Sequence, residues 1–201
     1  MQTNTNRYFI INKPYNMVSQ FVSTHDVQLL GDINFDFPKD THAVGRLDNH
    51  SEGLLILTTN KKVTRLLFLS EVPHKRTYLV QVNNVVTEEK LRQLQNGVTI
   101  KIKTGEFYVT QPCDVRIIND PENFYDLGER LTAYPPFTWL LITINEGKYH
   151  QVRKMIAAIR HKCKRLIRVS IEDLELGRVK AGGVLEMEEK DFFTKLKIDN
   201  S

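Results

Sequence analysis

Cysteine is scarce in this 201-residue chain: only Cys113 and Cys163 occur. No disulfide framework is available, and a reducing intracellular compartment, the cytoplasm, is expected. Long apolar runs are missing too. None approaches the roughly 18 residues of a membrane-spanning helix. The polar start Met1-Gln2-Thr3-Asn4-Thr5-Asn6 lacks the pattern of a signal peptide, so no membrane association is expected. His42, His50, Cys113 and Cys163 have no metal-ligand spacing, which argues against a metal site. No internal repeat and no Gly/Ser-rich linker is present, hence no clear domain boundary. Ala181-Gly182-Gly183 reads as a turn and not a phosphate loop, because no lysine and helix start follow it in the required order.

What is present fits an ordinary globular protein, with 41% apolar and 26% charged residues. The length allows one good core or two small lobes. The formal net charge is only +4, but it is unevenly spread. No acid occurs from Lys148 to Arg168, whereas Lys148, Arg153, Lys154, Arg160, Lys162, Lys164, Arg165 and Arg168 are all basic. Such a stretch is either the footprint of a phosphate backbone or a solvated helix face. Smaller clusters lie at Lys61, Lys62 and Arg65, and at Lys75 and Arg76.

Residues 1–6 read as a disordered polar start and 196–201 as a tail. Tyr8–Ile11 is a short apolar strand ended by Asn12-Lys13-Pro14. Residues 19–43 carry few periodic signals and read as loop. The unbroken apolar run Gly53–Thr58 predicts a strand buried on both faces, followed by a helix over Lys61–Leu69. Tyr78–Val82 alternates as a half-buried strand does. Thr87, Glu88, Glu89 and Gly97 supply the start and stop of a helix. Val98–Ile102 and Phe107–Gln111 form a hairpin around Thr104-Gly105, and the proline-bearing stretch 119–137 is a long surface excursion. Trp139–Ile144 predicts a strand, Tyr149–His161 a helix and Leu166–Ile171 a strand. On that helix Val152, Met155, Ile156 and Ile159 form one apolar stripe. Lys154 and His161 point away from it, and Arg153 and Arg160 border it. Cys163, between Lys162 and Lys164, has cations that favour a thiolate, yet falls in line with the stripe as a packed cysteine does. Strands and helices without regular alternation argue for an α+β class.

Three segments carry chemistry together: Asn12-Lys13-Pro14, "GRLDNHSEGLLILTTN" from Gly45, and "NEGKYHQVRKM" from Asn145. On them the chain resembles the RsuA/RluB/RluE/RluF-type pseudouridine synthases, from about Arg7 to Glu189. Within that family "SQF" near the start and "TWLLITINEGKYHQVRKM" later look like the short E-type large-subunit rRNA enzymes. One departure is visible: many relatives continue after "LLTN" with Asp-Gly, where this chain has Thr59-Asn60-Lys61-Lys62. That change adds positive charge outside the expected active site.

The resemblance implies a catalytic domain over residues 7–195, with a central mixed or antiparallel sheet and two interleaved lobes flanking an RNA-binding cleft. No separate N-terminal RNA-binding domain is expected. It implies an isomerase that converts uridine to pseudouridine in large-subunit (23S) rRNA, acts as a monomer and needs no cofactor. Asp48 matches the catalytic aspartate, as a carboxylate can be nucleophile or base at a sugar and leave again. Arg153 matches its arginine partner, which keeps a partly buried carboxylate ionised. Tyr78 matches the tyrosine that stacks on the flipped base. Arg46 would enter the space that an extruded base vacates, or hold a phosphate. Lys13 would contact phosphate or brace the Asp48 loop, and Lys154 and Lys164 would meet RNA phosphates. Each has a plainer reading: Asp48 as a turn or capping residue, Arg153 as a phosphate-contacting or solvated cation, Tyr78 as a core tyrosine, Arg46 as a turn arginine. The rival for the whole chain is a non-catalytic RNA-binding or ribosome-assembly protein on the same fold, which would not need the acid–arginine–phenol set.

Overall fold

A computed structural model describes residues 6–68, 72–128 and 135–199. Two compact units make up the α+β chain: residues up to His74 together with those from Ser170 onward, and Lys75–Val169. The first unit opens with β1 (Tyr8–Lys13), β2 (His42–Val44), β3 (Glu52–Thr58) and α1 (Lys62–Phe68). Both apolar runs do become fully buried strands, and β1 pairs antiparallel with β3 from Tyr8↔Thr58 to Lys13↔Gly53. The two faces of β1 meet different partners. Phe9 meets Phe35 and Phe37 at 5.6 and 5.8 Å between ring centroids, which orders the aperiodic stretch after residue 19 around an aromatic cluster. That stretch holds a short 3-10 helix at Leu30–Asp32 and ends in β2, too short at three residues to leave a periodic signal. In α1, Val63 and Leu67 are buried; Leu69, expected at its end, lies outside the described residues, as do residues 1–5 and 129–134 of the expected start and excursion.

The second unit runs through β4 (Arg76–Asn83), α2 (Glu88–Asn96), β5 (Thr99–Lys101), β6 (Phe107–Val109), β7 (Asp114–Ile118), β8 (Phe137–Ile144) and α3 (Gln151–Ala158) into β9 (Cys163–Ile171), whose last residues belong to the first unit. β4, β8 and β7 are consecutive and antiparallel. The signals around α2 act as expected: the Thr87 hydroxyl accepts from Lys90 N, and Gly97 ends the helix at φ +93. A Cβ on Gly97 would sit 2.2 Å from the Thr110 carbonyl oxygen, so this stop is also a close backbone approach. The hairpin forms as β5–β6, and Val80, Leu94, Ile100, Leu140, Met155 and Ile156 sit in one core.

α3 is shorter than its apolar stripe predicts. Arg160 adopts a left-handed conformation (φ 61) and turns the chain, so His161 does not point to solvent. It is buried, with Nδ1 2.7 Å from the Asn83 carbonyl oxygen and Nε2 3.0 Å from Lys90 Nζ. Cys163 consequently opens β9 instead of extending the helix. Burial pushes its thiol up to about 11, against the opposing pull of Arg153, so it is a packed cysteine.

The chain closes the first unit with β10 (Leu174–Glu175), β11 (Val184–Met187) and α4 (Glu189–Leu196). β11 adds to the outer edge of β1. Residues 180–183 do form a turn, and it clips onto β1 by Asn12 N to Gly183 O and Gly182 N to Asn12 O. Phe192 and Phe193 of α4 pack on Tyr8 at 4.6 and 5.5 Å between centroids. Among the described residues no helix is long and apolar enough to cross a membrane.

Burial, and next the hydrogen bond that Tyr8 donates to Glu189, push the Tyr8 phenol up to about 12. Its unfolded counterpart titrates near 10. Above that pH the unfolded chain gives up a proton that the folded chain keeps, so this contribution to stability is present below pH 10 and lost as pH rises through about 12. Urea melts from pH 8 to 12 should therefore show a steeper alkaline decline for the wild type than for Tyr8→Phe. Parallel declines would contradict the assignment.

Candidate active site

The segment Gly45–Ser51 joins β2 to β3, and its shape is imposed from both ends. Gly45 has φ +73, and a Cβ there would lie 2.7 Å from the Phe68 ring, so glycine alone fits. Leu47 is buried, and the Ser19 hydroxyl holds its backbone on both sides: it donates to Leu47 O at 2.9 Å and accepts from Leu47 N at 3.0 Å. On the far side of Asp48, Asn49 O accepts from Asn16 N at 2.9 Å and from Lys13 Nζ at 3.4 Å. Asn49 Nδ2 donates to Asn16 Oδ1, and the His50 ring stacks on Tyr15 with centroids 5.2 Å apart. Ser51 N closes the turn onto Asp48 O at 2.9 Å. Asp48 itself is half-buried and Arg46 exposed, on a backbone clamped at residues 47 and 49.

Lys13 is fully buried (0% exposed). Its ammonium also donates to Met17 O at 2.6 Å and Pro14 O at 2.9 Å. Of the two roles the sequence leaves open, this is the geometry of the brace, and the expected phosphate contact gives way because the amine faces carbonyls inside the fold. Ser19 and Asn16 share that work and were not singled out from the sequence, although Ser19 lies in the "SQF" segment.

In the second unit Tyr78 sits on β4 opposite Ile142, its half-buried ring packed against the core. Arg153 lies on α3, half-buried, with Nη1 3.7 Å from Cys163 Sγ. The entry to α3 is organised by two residues that sequence reasoning passed over inside "NEGKYHQVRKM". Gln151 accepts from Lys148 N and donates to Glu146, and Glu146 also accepts from Gln111 N and the Tyr108 hydroxyl. The phenol of Tyr108 is raised chiefly by that hydrogen bond. Among the described residues no group of three or more His, Cys, Asp or Glu is positioned to hold a metal ion.

The acid-free stretch does not form one face. Arg165 and Arg168 are buried on β9. Arg165 donates to Leu127 O at 2.9 Å, with its guanidinium 5.5 Å from the Tyr125 ring, and so ties the first part of the 119–137 excursion to a strand. Lys154 and Lys164 are half-buried, with Lys154 Nζ 5.1 Å from the Tyr149 ring, while Lys148, Arg160 and Lys162 are exposed. The charge pattern marked the cations but not their burial, because β9 buries residues 165–169 without a break and the composition treats buried and exposed cations alike.

Lys13→Met removes three donors while keeping the side-chain length. Each buried carbonyl left without a partner costs about 1–3 kcal/mol, so urea melts should show a loss of several kcal/mol. The salt dependence of RNA binding by the folded variant should stay as in the wild type. A phosphate contact would instead remove about 0.7–0.9 log units per tenfold change in salt, and that result would reject the brace.

A family model described as RNA pseudouridylate synthase matches residues 7–158. The chain is 37% identical over 177 residues to the ribosomal large subunit pseudouridine synthase E of Vibrio parahaemolyticus serotype O3:K6 (strain RIMD 2210633), covering 88% of this chain and 71% of that protein. Its identity to the protein of the same name from Xanthomonas axonopodis pv. citri (strain 306) is 35% over 169 residues, covering 83% and 86%. A crystal structure of a pseudouridylate synthase matches with a TM-score of 0.75 at 27% identity, covering 98% of this chain and 76% of that one. With the family model spanning most of its length, the chain belongs to the RNA pseudouridylate synthase family.

Proposed function

We propose that this enzyme isomerises a uridine of large-subunit ribosomal RNA to pseudouridine, with Asp48 as its catalytic carboxylate. The observation that carries the reading is the Gly45-Arg46-Leu47-Asp48 segment, its backbone held on both sides of Asp48, in a chain of this family. The large-subunit substrate rests on the relatives of that name. The reaction breaks a glycosidic C–N bond, turns the base and forms a C–C bond, and it needs neither an oxidant nor a group donor. A carboxylate fits this chemistry because it attacks or deprotonates and then leaves. Arg153 is the cation that the resemblance gives this carboxylate as its partner. Tyr78 offers its ring to the extruded base and its hydroxyl to a proton. Arg46, exposed on the Asp48 loop, fills the vacated stack or holds the neighbouring phosphate, and Lys154 and Lys164 meet the backbone.

Asp48→Asn should abolish conversion, since an amide is neither base nor nucleophile at pH 7, while RNA affinity holds or improves. Tritium release from 5-tritiated rRNA of cells lacking the protein measures it. Multiple turnover by a clean Asp48→Asn preparation rejects the role of Asp48, and no conversion by the wild type favours the RNA-binding rival.

Tyr78→Phe keeps the ring and deletes the hydroxyl. If the hydroxyl moves a proton, turnover drops by about two or more orders of magnitude at unchanged affinity. Full activity in Tyr78→Phe with loss in Tyr78→Ala would leave stacking as its only part.

A further inference from the structure

The β5–β6 hairpin has two faces of opposite character. The register Ile100↔Tyr108 puts these two residues on its inner face, where Ile100 is buried in the core. The Tyr108 hydroxyl donates to Glu146, and Lys148 Nζ lies 4.6 Å from the Tyr108 ring centroid. Through Glu146 and Gln151 the same network reaches the first turn of α3, the helix that carries Arg153 and Lys154. The ribbon is therefore fixed to α3 and not merely hanging from its two ends.

Its outer face carries the pairs Thr99↔Val109 and Lys101↔Phe107. Phe107 is 80% exposed and Val109 64%, and Thr99 and Lys101 are exposed beside them. A phenylalanine so exposed contributes nothing to the core, and an apolar patch rimmed by polar groups marks a contact surface. The charge of the patch selects its partner. Lys101 stands directly across from the ring, Lys103 follows in the turn, and the one acid of the turn, Glu106, is engaged by the Thr104 hydroxyl at 2.8 Å. A flat aromatic beside a cation, on a face of four residues with no acid, is the arrangement that takes a nucleobase on the ring and its phosphate on the amine.

We propose that the outer face of the β5–β6 hairpin is a stacking platform for an unpaired base of the bound RNA, with Phe107 under the base and Lys101 at the adjoining phosphate. This contact rests on the reading of the chain as an RNA-modifying enzyme, and it lies outside the proposed catalytic residues. It adds affinity and register, not chemistry.

The test uses the full chain and measures binding and conversion separately, with protein-free 5-bromouridine-substituted fragments of large-subunit rRNA for cross-linking and unsubstituted fragments for affinity and conversion. In wild type, ultraviolet light should cross-link the fragment to the peptide containing Phe107. Phe107→Ala should keep the melting temperature, since the ring is exposed, and weaken binding by about 5- to 150-fold, the range for one stacked base. Lys101→Ala should flatten the salt dependence by about 0.7–0.9 log units per tenfold salt. The conversion rate at saturating RNA should stay within about twofold in both variants, against which an Asp48→Asn control is inactive. Wild-type affinity in Phe107→Ala with no cross-link at that peptide overturns the platform. Loss of self-association in sedimentation of Phe107→Ala, at unchanged RNA affinity, also overturns it and gives the face to a second copy of the chain. Absence of conversion by wild type that still cross-links at Phe107 would reject the enzymatic reading and leave the platform standing.

Discussion

A lysine ammonium carries three donors and a full charge, and burying it is tolerable only where acceptors surround it. Lys13 meets that condition at the end of β1, where the carbonyls of Pro14, Met17 and Asn49 converge on it. Much of the first unit depends on this convergence. Proline at position 14 ends the strand, the chain doubles back over residues 14–17, and the segment carrying Asp48 is pulled down onto that bend by the same amine. Ser19 completes the grip at Leu47. The role proposed for Asp48 requires a carboxylate oriented before substrate arrives, and the backbone on both sides of that residue is held.

The second unit applies the same logic with a carboxylate at the centre. Glu146 accepts from the Gln111 amide, the Tyr108 hydroxyl and the Gln151 side chain, so that the β5–β6 hairpin and the start of α3 are tied to one carboxylate. The first turn of α3 is thereby fixed despite His150, which enters the helix in a left-handed conformation and offers no side-chain cap. Two of the arginines most suggestive of nucleic acid are spent inside: Arg165 on the Leu127 carbonyl and the Tyr125 ring, and Arg168 buried further along β9. Of the same acid-free stretch, Lys148, Arg160 and Lys162 are exposed, with Lys154 and Lys164 half-buried.

What the sequence by itself determined is local or motif-borne. The run Gly53–Thr58 could only be a buried strand, since water would not tolerate that length of apolar chain on either face. Thr87 and Gly97 bounded α2 because capping acts within a single turn. Family membership was legible in the motif segments, and the same resemblance is what puts forward Asp48, Tyr78 and Arg153 as the residues of the proposed reaction. Tertiary structure alone decided which cations are buried, where α3 stops and what Lys13 does. Those outcomes depend on partners distant in sequence: Leu47 for Ser19, Asn49 for Lys13, Leu127 for Arg165 and Asn83 for His161. β2 and β7 escaped notice for the same reason, because a strand of three or five residues is defined by the strand it pairs with and not by its own pattern.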